Sequence, residues 1–310
     1  MSEPQLVCFG VGSEYVLAPL AEEARRRGIR VCEIDMYRSD WRKMAASCIE
    51  RPFVLVTSHH PYLDGWAHME GFKTPADLDT VASFVHRERP IRTFFIPHDL
   101  SDNLHPEELY SLHLFDALLM PDECYWFLRA HVRVESVGWI KSAAATKLPH
   151  VPLTLMPSEV AFYSQNPELF TARFASYLKR SPRFKLASFA DTGRLEKIAR
   201  EAGCEIVPSE VSSTSLIMAT SIVITNATSS IVQEAAAMGL PTLCLLDGLP
   251  SIAEQRRAFQ YHPQVVLLSP DKGNEWLDRV MTTSGSFESR NVGFQPFDFD
   301  RTFALILGGD

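Results

Sequence analysis

One stretch, residues 221–246, constrains the fold more than any other part of the chain. It opens with a short apolar segment rich in β-branched residues, 222–225, and continues with a small polar segment, 226–230. The apolar spacing after that segment predicts a helix that ends near Gly239, and a second apolar strand is predicted over 242–246. The pattern is typical of a strand–loop–helix–strand unit in a parallel α/β sheet, with the polar loop at the carboxyl end of a buried strand.

The polar loop of this unit is a candidate anion site. Ligands of parallel α/β sheets lie outside the carboxyl ends of the strands. The hydroxyls of Thr228, Ser229 and Ser230 come at the start of a helix, where free N–H groups favour a phosphate. Glu234 follows in the first turns of that helix and can accept hydrogen bonds from sugar or ribose hydroxyls. Helix capping and the helix dipole explain the same residues without a ligand, so both interpretations stay open.

The composition indicates a globular protein. A chain of 310 residues is long enough for two domains of about 150 residues each, and 46% hydrophobic with 22% charged residues is ordinary for such domains. The net charge of −8 argues against a broad nucleic-acid surface. No apolar run approaches the roughly 18 residues of a membrane span, and the first residues lack the features of a signal peptide. The expectation is a cytoplasmic protein without a transmembrane segment.

No metal or organic cofactor is predicted. The six cysteines are scattered without a C-x-x-C pair, which favours free buried thiols over a disulfide framework or a zinc site. His59 and His60 follow a predicted strand, but neighbouring side chains of an extended segment point to opposite sides, and no third ligand is evident. These histidines are therefore interpreted as part of a loop.

The first part of the chain predicts another α/β unit. Gly10 and Gly12 form a glycine loop between a strand and a helix, although Tyr15 stands where a dinucleotide fingerprint has its third glycine. A later predicted strand, 92–96, is followed closely by His98. At the carboxyl rim of a sheet, an imidazole is suited to proton transfer near neutral pH, and a structural loop histidine is the alternative interpretation.

The run 225–234, together with the Met-Gly-Leu-Pro-Thr that follows, resembles the donor-binding element of GT-B glycosyltransferases. Within that group it looks nearest to the CDP-glycerol glycerophosphotransferases of wall-polymer synthesis, with the non-hydrolysing UDP-GlcNAc 2-epimerases next. In those families a D-x-S-S-x-x-x-E or D-S-G-G-x-x-x-E run holds the donor phosphates with its small residues and the ribose with its glutamate. The resemblance places these roles on Ser229, Ser230 and Glu234, while Asn226 replaces the acidic residue of the families.

The order of the predicted elements extends this resemblance over most of the chain. His98 matches the acceptor-activating histidine of the glycerophosphotransferases, with Asp99 in place of their glycine. Gly138 matches the turn that closes the first domain, and Ser158 falls in the donor-phosphate loop. The families often carry a second histidine in the region of Asp191, which this chain lacks.

The resemblance implies a GT-B fold of two Rossmann-like parallel-sheet domains that face a central cleft. Residues 1–145 are expected to form the acceptor-side domain, and 146–310 the nucleotide-donor domain with a terminal helix that returns to the first domain. The implied activity is transfer of a sugar or polyol-phosphate unit from a CDP- or UDP-linked donor to a glycan or polyol-phosphate acceptor, in the making of a cell-envelope polysaccharide. Peripheral membrane association is compatible with this activity.

Two other functions are compatible with the same motif. One is a UDP-sugar 2-epimerase, which needs acid and base groups of its own, and for which Asp99, Asp102 and Glu123 are candidates. The other is a non-catalytic nucleotide-binding protein of the same fold, favoured by Asn226 and by the missing second histidine. An epimerase acts on a UDP-sugar without an acceptor, whereas a transferase requires one.

Overall fold

The chain forms two compact units. The first consists of residues 1–99, 103–144 and 294–310, and the second of residues 100–102 and 145–293. The computed structural model describes residues 3–10, 16–35, 40–58, 81–97, 112–121, 129–157, 160–186, 192–208, 211–226, 231–245, 265–283 and 295–308.

The first unit contains a parallel sheet with the strand order β2-β1-β3-β4-β5-β6. The strands are β1 (Gln5–Gly10), β2 (Val31–Asp35), β3 (Phe53–Thr57), β4 (Arg92–Phe95), β5 (Ala117–Met120) and β6 (Val134–Ser136). Its helices are α1 (Ala18–Arg26), α2 (Trp41–Cys48), α3 (Val81–Glu88), α4 (Ile140–Ala143) and the terminal helix, with a 3₁₀ turn at Leu112–Leu114.

Helices cover both faces of this sheet, which explains why β3 is buried along its whole length. One face packs against α1 through Leu20 and Ala24. The other packs against α2 and α3, where the ring of Phe9 stacks on Phe84 at a centroid distance of 4.0 Å and meets Trp41 edge-on. Apolar burial on two faces is therefore what fixes the central strands.

The end of the chain belongs to the first unit. Trp139 forms a parallel bridge with Pro296, and the Asp298 N–H donates to the Val137 carbonyl over 2.7 Å. The Asp298 side chain then caps the terminal helix by accepting from the Arg301 N–H. The terminal helix expected from the sequence spans Phe299–Leu307, and its Phe303 belongs to the core of this unit.

The prediction that all cysteines are free thiols is wrong for one pair. Cys32 in β2 and Cys48 at the end of α2 form a disulfide, with Cα atoms 5.7 Å apart. Their separation of 16 residues follows no motif, and the contact arises because α2 packs back on β2. Cys8 and Cys204 are free, and burial raises both pKa values, that of Cys204 to about 11. Neither is therefore a thiolate nucleophile at neutral pH.

The second unit contains a parallel sheet with the order β12-β11-β10-β7-β8-β9. Its strands are β7 (Val151–Leu155), β8 (Arg183–Phe184), β9 (Glu205–Ile206), β10 (Thr220–Asn226), β11 (Thr242–Leu245) and β12 (Val265–Leu268). Its helices are α5 (Val160–Gln165), α6 (Pro167–Leu178), α7 (Gly193–Glu201), α8 (Ser213–Met218), α9 (Ile231–Ala237) and α10 (Pro270–Thr283). The terminal helix of the first unit, Phe299–Leu307, is numbered α11.

The strand–loop–helix–strand unit predicted from residues 221–246 is confirmed as β10, α9 and β11. β10 lies between β7 and β11 and is hydrogen-bonded to both in parallel register. Both sheets are parallel, so the predicted α/β class with two parallel-sheet domains is also confirmed. Among the helices of the described residues, none is long and apolar enough to cross a bilayer.

Candidate functional site

The chain order of the second sheet reverses between β7 and β10. The chain runs outward from β7 through β8 to β9 and then returns to the other side of β7 to form β10. Ligands of open parallel sheets bind outside the carboxyl strand ends at such a reversal. Thr225 near the end of β10 donates to the Met156 carbonyl over 2.6 Å, and the Met156 N–H donates to the Ile224 carbonyl over 2.9 Å. These bonds hold the two strand ends together at the position of the expected site.

The predicted phosphate-binding residues follow β10 and β7, the two strands of this reversal, in the sequence. β10 ends at Asn226 and α9 begins at Ile231. Thr228, Ser229 and Ser230 come between these two elements and lie outside the described residues. Ser158, shortly after β7, also lies outside them.

Glu234 is a predicted site residue whose helix position, burial and hydrogen-bond partner are all described by the structure. It lies in the first turn of α9 and is 2% exposed. One of its carboxylate oxygens, Oε2, accepts a hydrogen bond of 2.8 Å from the Thr214 hydroxyl in α8. A carboxylate has about four acceptor positions on its two oxygens, and the Thr214 bond uses one of them. Glu234 therefore presents an oriented acceptor beside the strand reversal.

Asn226 ends β10 as a fully buried side chain. Its Nδ2 lies 3.4 Å from the hydroxyl of Tyr163 in α5, which is itself 1% exposed. A carboxylate at this depth would carry a large desolvation penalty, whereas a neutral amide does not. Burial beside Tyr163 is the physical reason that an amide suits this position, where the resemblance expects an acid.

Helix α8, which carries Thr214, is fixed at its start by a set of hydroxyls. The Ser212 side chain accepts from the Ser215 N–H over 3.1 Å and lies 2.7 Å from the Ser215 hydroxyl. The Thr146 N–H, 69 residues earlier in the chain, donates to the same Ser215 hydroxyl over 2.8 Å. Thr214 therefore approaches Glu234 from a helix that is held by a local side-chain cap and by a backbone N–H from a distant part of the sequence.

Sequence reasoning missed both Thr214 and Tyr163. A serine- and threonine-rich helix start at 212–215 is the one signal that points to Thr214, since such residues cap helices. Nothing in the spacing around Tyr163 indicates that its hydroxyl meets the end of β10.

The first sheet has its own reversal, between β1 and β3. Gly10, predicted in the loop after the strand, is the last residue of β1, and Thr57 and Ser58 are buried at the end of β3. Gly12 and His98 lie outside the described residues, which after β4 extend to Pro97. The arrangement thus puts Gly10 at a strand reversal, while the role of His98 stays a prediction. Across the described ranges, no group of three or more His, Cys, Asp or Glu side chains is arranged to hold a metal ion.

Comparisons with solved structures identify the fold. The chain is similar to S. aureus MnaA in a co-structure with UDP, at a TM-score of 0.59 and 11% identity over 100% of this chain and 98% of that one. It is similar to UDP-GlcNAc 2-epimerase from Neisseria meningitidis bound to UDP-GlcNAc, at a TM-score of 0.54 and 12% identity over 99% and 100% of the two chains. The wall teichoic acid polymerase TagF is similar at a TM-score of 0.55 and 10% identity over 97% and 88%.

These matches span nearly the whole chain, and they are to proteins of the GT-B fold. The chain therefore has the GT-B fold, as the motif at 225–234 predicted. No protein-family model matches the chain, and no curated protein sequence matches it.

Proposed function

We propose that this protein is a GT-B transferase that moves a sugar or polyol-phosphate unit from a CDP- or UDP-linked donor to a hydroxyl of a glycan or polyol-phosphate acceptor. The observation that carries the proposal is Glu234, a buried carboxylate in the first turn of the helix that follows the central strand β10. Two of the structures similar to this chain hold UDP or UDP-GlcNAc. A carboxylate that accepts the ribose hydroxyls of such a nucleotide agrees with the position of Glu234 beside the strand reversal.

In the proposed reaction, the acceptor oxygen forms a bond to the anomeric carbon or phosphorus of the transferred unit. The bond from that atom to the phosphate oxygen of the nucleotide breaks, and the electron pair stays on the nucleotide. Ser229 and Ser230, with Thr228 and Ser158, donate to the phosphates and stabilise the charge of the leaving nucleotide. His98 removes the proton of the acceptor hydroxyl. Gly10 and Gly12 permit close approach of the nucleotide phosphates to the backbone.

The proposed setting is the cytoplasm, in the assembly of a cell-envelope polysaccharide on an acceptor that brings the protein to the membrane periphery. The similarity to a wall teichoic acid polymerase supports this setting. The proposed reaction uses side chains of this chain and requires no metal or organic cofactor.

A UDP-sugar 2-epimerase is the second candidate function, and the similarity to a UDP-GlcNAc 2-epimerase supports it. Incubation of the protein with a UDP-sugar alone separates the two candidates, because epimerisation proceeds without an acceptor and transfer does not. Nucleotide binding without turnover across CDP- and UDP-linked donors, with acceptors supplied, would instead favour a non-catalytic nucleotide-binding protein.

Replacing Glu234 with glutamine is expected to weaken nucleotide binding about tenfold, since a neutral amide is a poorer acceptor for hydroxyls than a carboxylate. Titration calorimetry against CMP, CDP, UDP, GDP and TDP measures the effect and identifies the base. Glu196→Gln is a matched control, because Glu196 also accepts a threonine hydroxyl, that of Thr192 at 2.7 Å, in the first turn of a helix of the same unit. Equal affinities of both variants and the unchanged protein would contradict the role of Glu234.

Replacing Ser229 and Ser230 together with alanine is expected to reduce affinity for nucleoside diphosphates while the fold persists. Each lost hydroxyl bond to a charged phosphate is worth about 1.5–3 kcal/mol. Calorimetry with UDP and CDP, beside uridine and cytidine as phosphate-free references, measures the loss. If the double variant binds the diphosphates as tightly as before and only its thermal stability falls, the two hydroxyls cap the helix and do nothing more.

A further inference from the structure

The bond between Thr214 and Glu234 joins two helices that come from different crossovers of the second sheet. Thr214 is 1% exposed in α8, which leads into β10, and Glu234 is 2% exposed in α9, which leads out of it. The Thr214 Oγ1 donates to the Glu234 Oε2 over 2.8 Å across 20 residues of sequence. The bond therefore links the helix before the central strand to the carboxylate at the start of the helix after it.

The donor side of this bond has little freedom. A threonine in a helix has a restricted χ1 angle because of its branched Cβ. The helix itself is fixed by the Ser212 cap and by the Thr146 N–H bond to Ser215, and its Leu216 and Ile217 are fully buried. The packing of α8 therefore fixes the Thr214 backbone and leaves the hydroxyl about two χ1 rotamers, one of which meets Glu234.

A hydroxyl held in this way restricts the orientation of the carboxylate that it contacts. The bond to Oε2 limits the rotation of the carboxylate plane, and hence the directions of its other acceptor positions. Two adjacent ribose hydroxyls make a ligand whose geometry depends on that direction, whereas a deoxyribose offers only one of them. The contact thus bears on the sugar of the nucleotide more than on its base or phosphates.

We infer that Thr214 is a positioning residue that holds the Glu234 carboxylate for the two ribose hydroxyls, and that it thereby sets a preference for ribonucleotides over deoxyribonucleotides. This inference rests on the function proposed above, in which Glu234 binds the nucleotide ribose. Thr214 acts through Glu234 and makes no contact of its own with the nucleotide.

The test is the ratio of affinities for a ribonucleotide and for its deoxy counterparts. Titration calorimetry is carried out with UDP and CDP and with the 2′-deoxy and 3′-deoxy forms of each. Thr214→Val, which removes the hydroxyl and keeps the shape, is expected to weaken ribonucleotide binding about three- to tenfold. Binding of the deoxy forms is expected to weaken less, so that the ratio falls toward one. Thr214→Ser, which restores a hydroxyl, is expected to keep the ratio of the unchanged protein.

Thr220→Val is the matched control, because Thr220 is also buried and lies at the start of β10, at the end of the strand opposite to Asn226. Its hydroxyl is 3.2 Å from the Ile222 carbonyl. It is expected to leave the ratio unchanged. Thr214→Ala is measured alongside, so that the result does not depend on how valine packs. Thermal unfolding of each variant reports the stability that the hydroxyl contributes.

The possible outcomes separate the inference from the proposed function. If Glu234→Gln abolishes the ribonucleotide preference and neither Thr214→Val nor Thr214→Ala alters it, the positioning role is wrong and the proposed function stands. If the Thr214 variants weaken all nucleotides equally and unfold at lower temperature, the bond is a structural link between helices and the inference fails. If the unchanged protein shows no ribonucleotide preference, or Glu234→Gln retains it, the role of Glu234 fails together with the inference.

Discussion

Replacing Gly138 with alanine is expected to lower the stability of the first unit by about 3–5 kcal/mol. Gly138 has a φ of +83°, a left-handed conformation that costs a residue with a Cβ about 1–3 kcal/mol. The new Cβ would lie 2.6 Å from the Gln295 carbonyl oxygen and closer still to that of Pro296. Because both neighbours are backbone atoms, neither can rotate away, and the segment that precedes α11 must shift.

That shift would affect everything that the end of the chain contributes to the first unit. The Trp139 N–H donates to the Gln295 carbonyl over 3.2 Å, and the Asp298 N–H donates to the Val137 carbonyl, so both backbone bonds flank the site of the clash. Phe303 and Ile306 of α11 are buried in the same core as α1. Loss of this packing is the reason for expecting an effect well above that of the backbone conformation alone.

Gly28→Ala separates the two causes. Gly28 follows α1 with a φ of +78°, but a Cβ built there meets no atom within 4 Å. This control is expected to lose only the backbone penalty, about 1–3 kcal/mol. Denaturant unfolding followed by circular dichroism measures both variants. Equal losses in the two would mean that the Gln295–Pro296 segment moves aside at little cost, and that the docking of α11 does not depend on its contact with Gly138.

The parts of the fold that local patterns encode could be predicted from the sequence. The β-branched run before Asn226 and the helix that ends near Gly239 predicted β10, α9 and β11, because strand and helix periodicities are properties of short segments. The strand order carries no such local signal. The strand order depends on which apolar faces pack together. The reversal between β7 and β10 is therefore a property of the folded second sheet and not of any short segment.

The candidate site was predicted at the level of the motif and missed at the level of contacts. Glu234 was identified from its spacing after Ser230. Its partner Thr214 comes 20 residues earlier, in α8, and the two helices meet only when they pack on the folded sheet. Tyr163 is 63 residues from Asn226 in sequence. No spacing rule relates residues joined only by tertiary packing, and the disulfide between Cys32 and Cys48 was missed for the same reason.

Replacing His98 with alanine is expected to reduce turnover about 10²–10⁴-fold if His98 is the base of the proposed transfer, since a positioned general base contributes that much to rate. Nucleotide affinity is expected to change little, because the imidazole acts on the acceptor hydroxyl. Activity of the unchanged protein should rise with pH through the ionisation of the histidine, and the variant should lack that rise. Steady-state kinetics as a function of pH, with nucleotide affinity from calorimetry, measure all three quantities.

His98→Gln is the companion variant, since an amide keeps a hydrogen-bonding group but cannot take up a proton. If His98 is a base, the glutamine variant should lose as much turnover as the alanine variant. If His98 only orients the acceptor, glutamine should restore part of the turnover. Near-normal turnover with an unchanged pH profile in both variants would contradict the assignment. Weakened nucleotide binding with little loss of turnover at saturation would instead place His98 at the donor phosphates, because a group that binds substrate and transition state equally alters KM and leaves kcat unchanged.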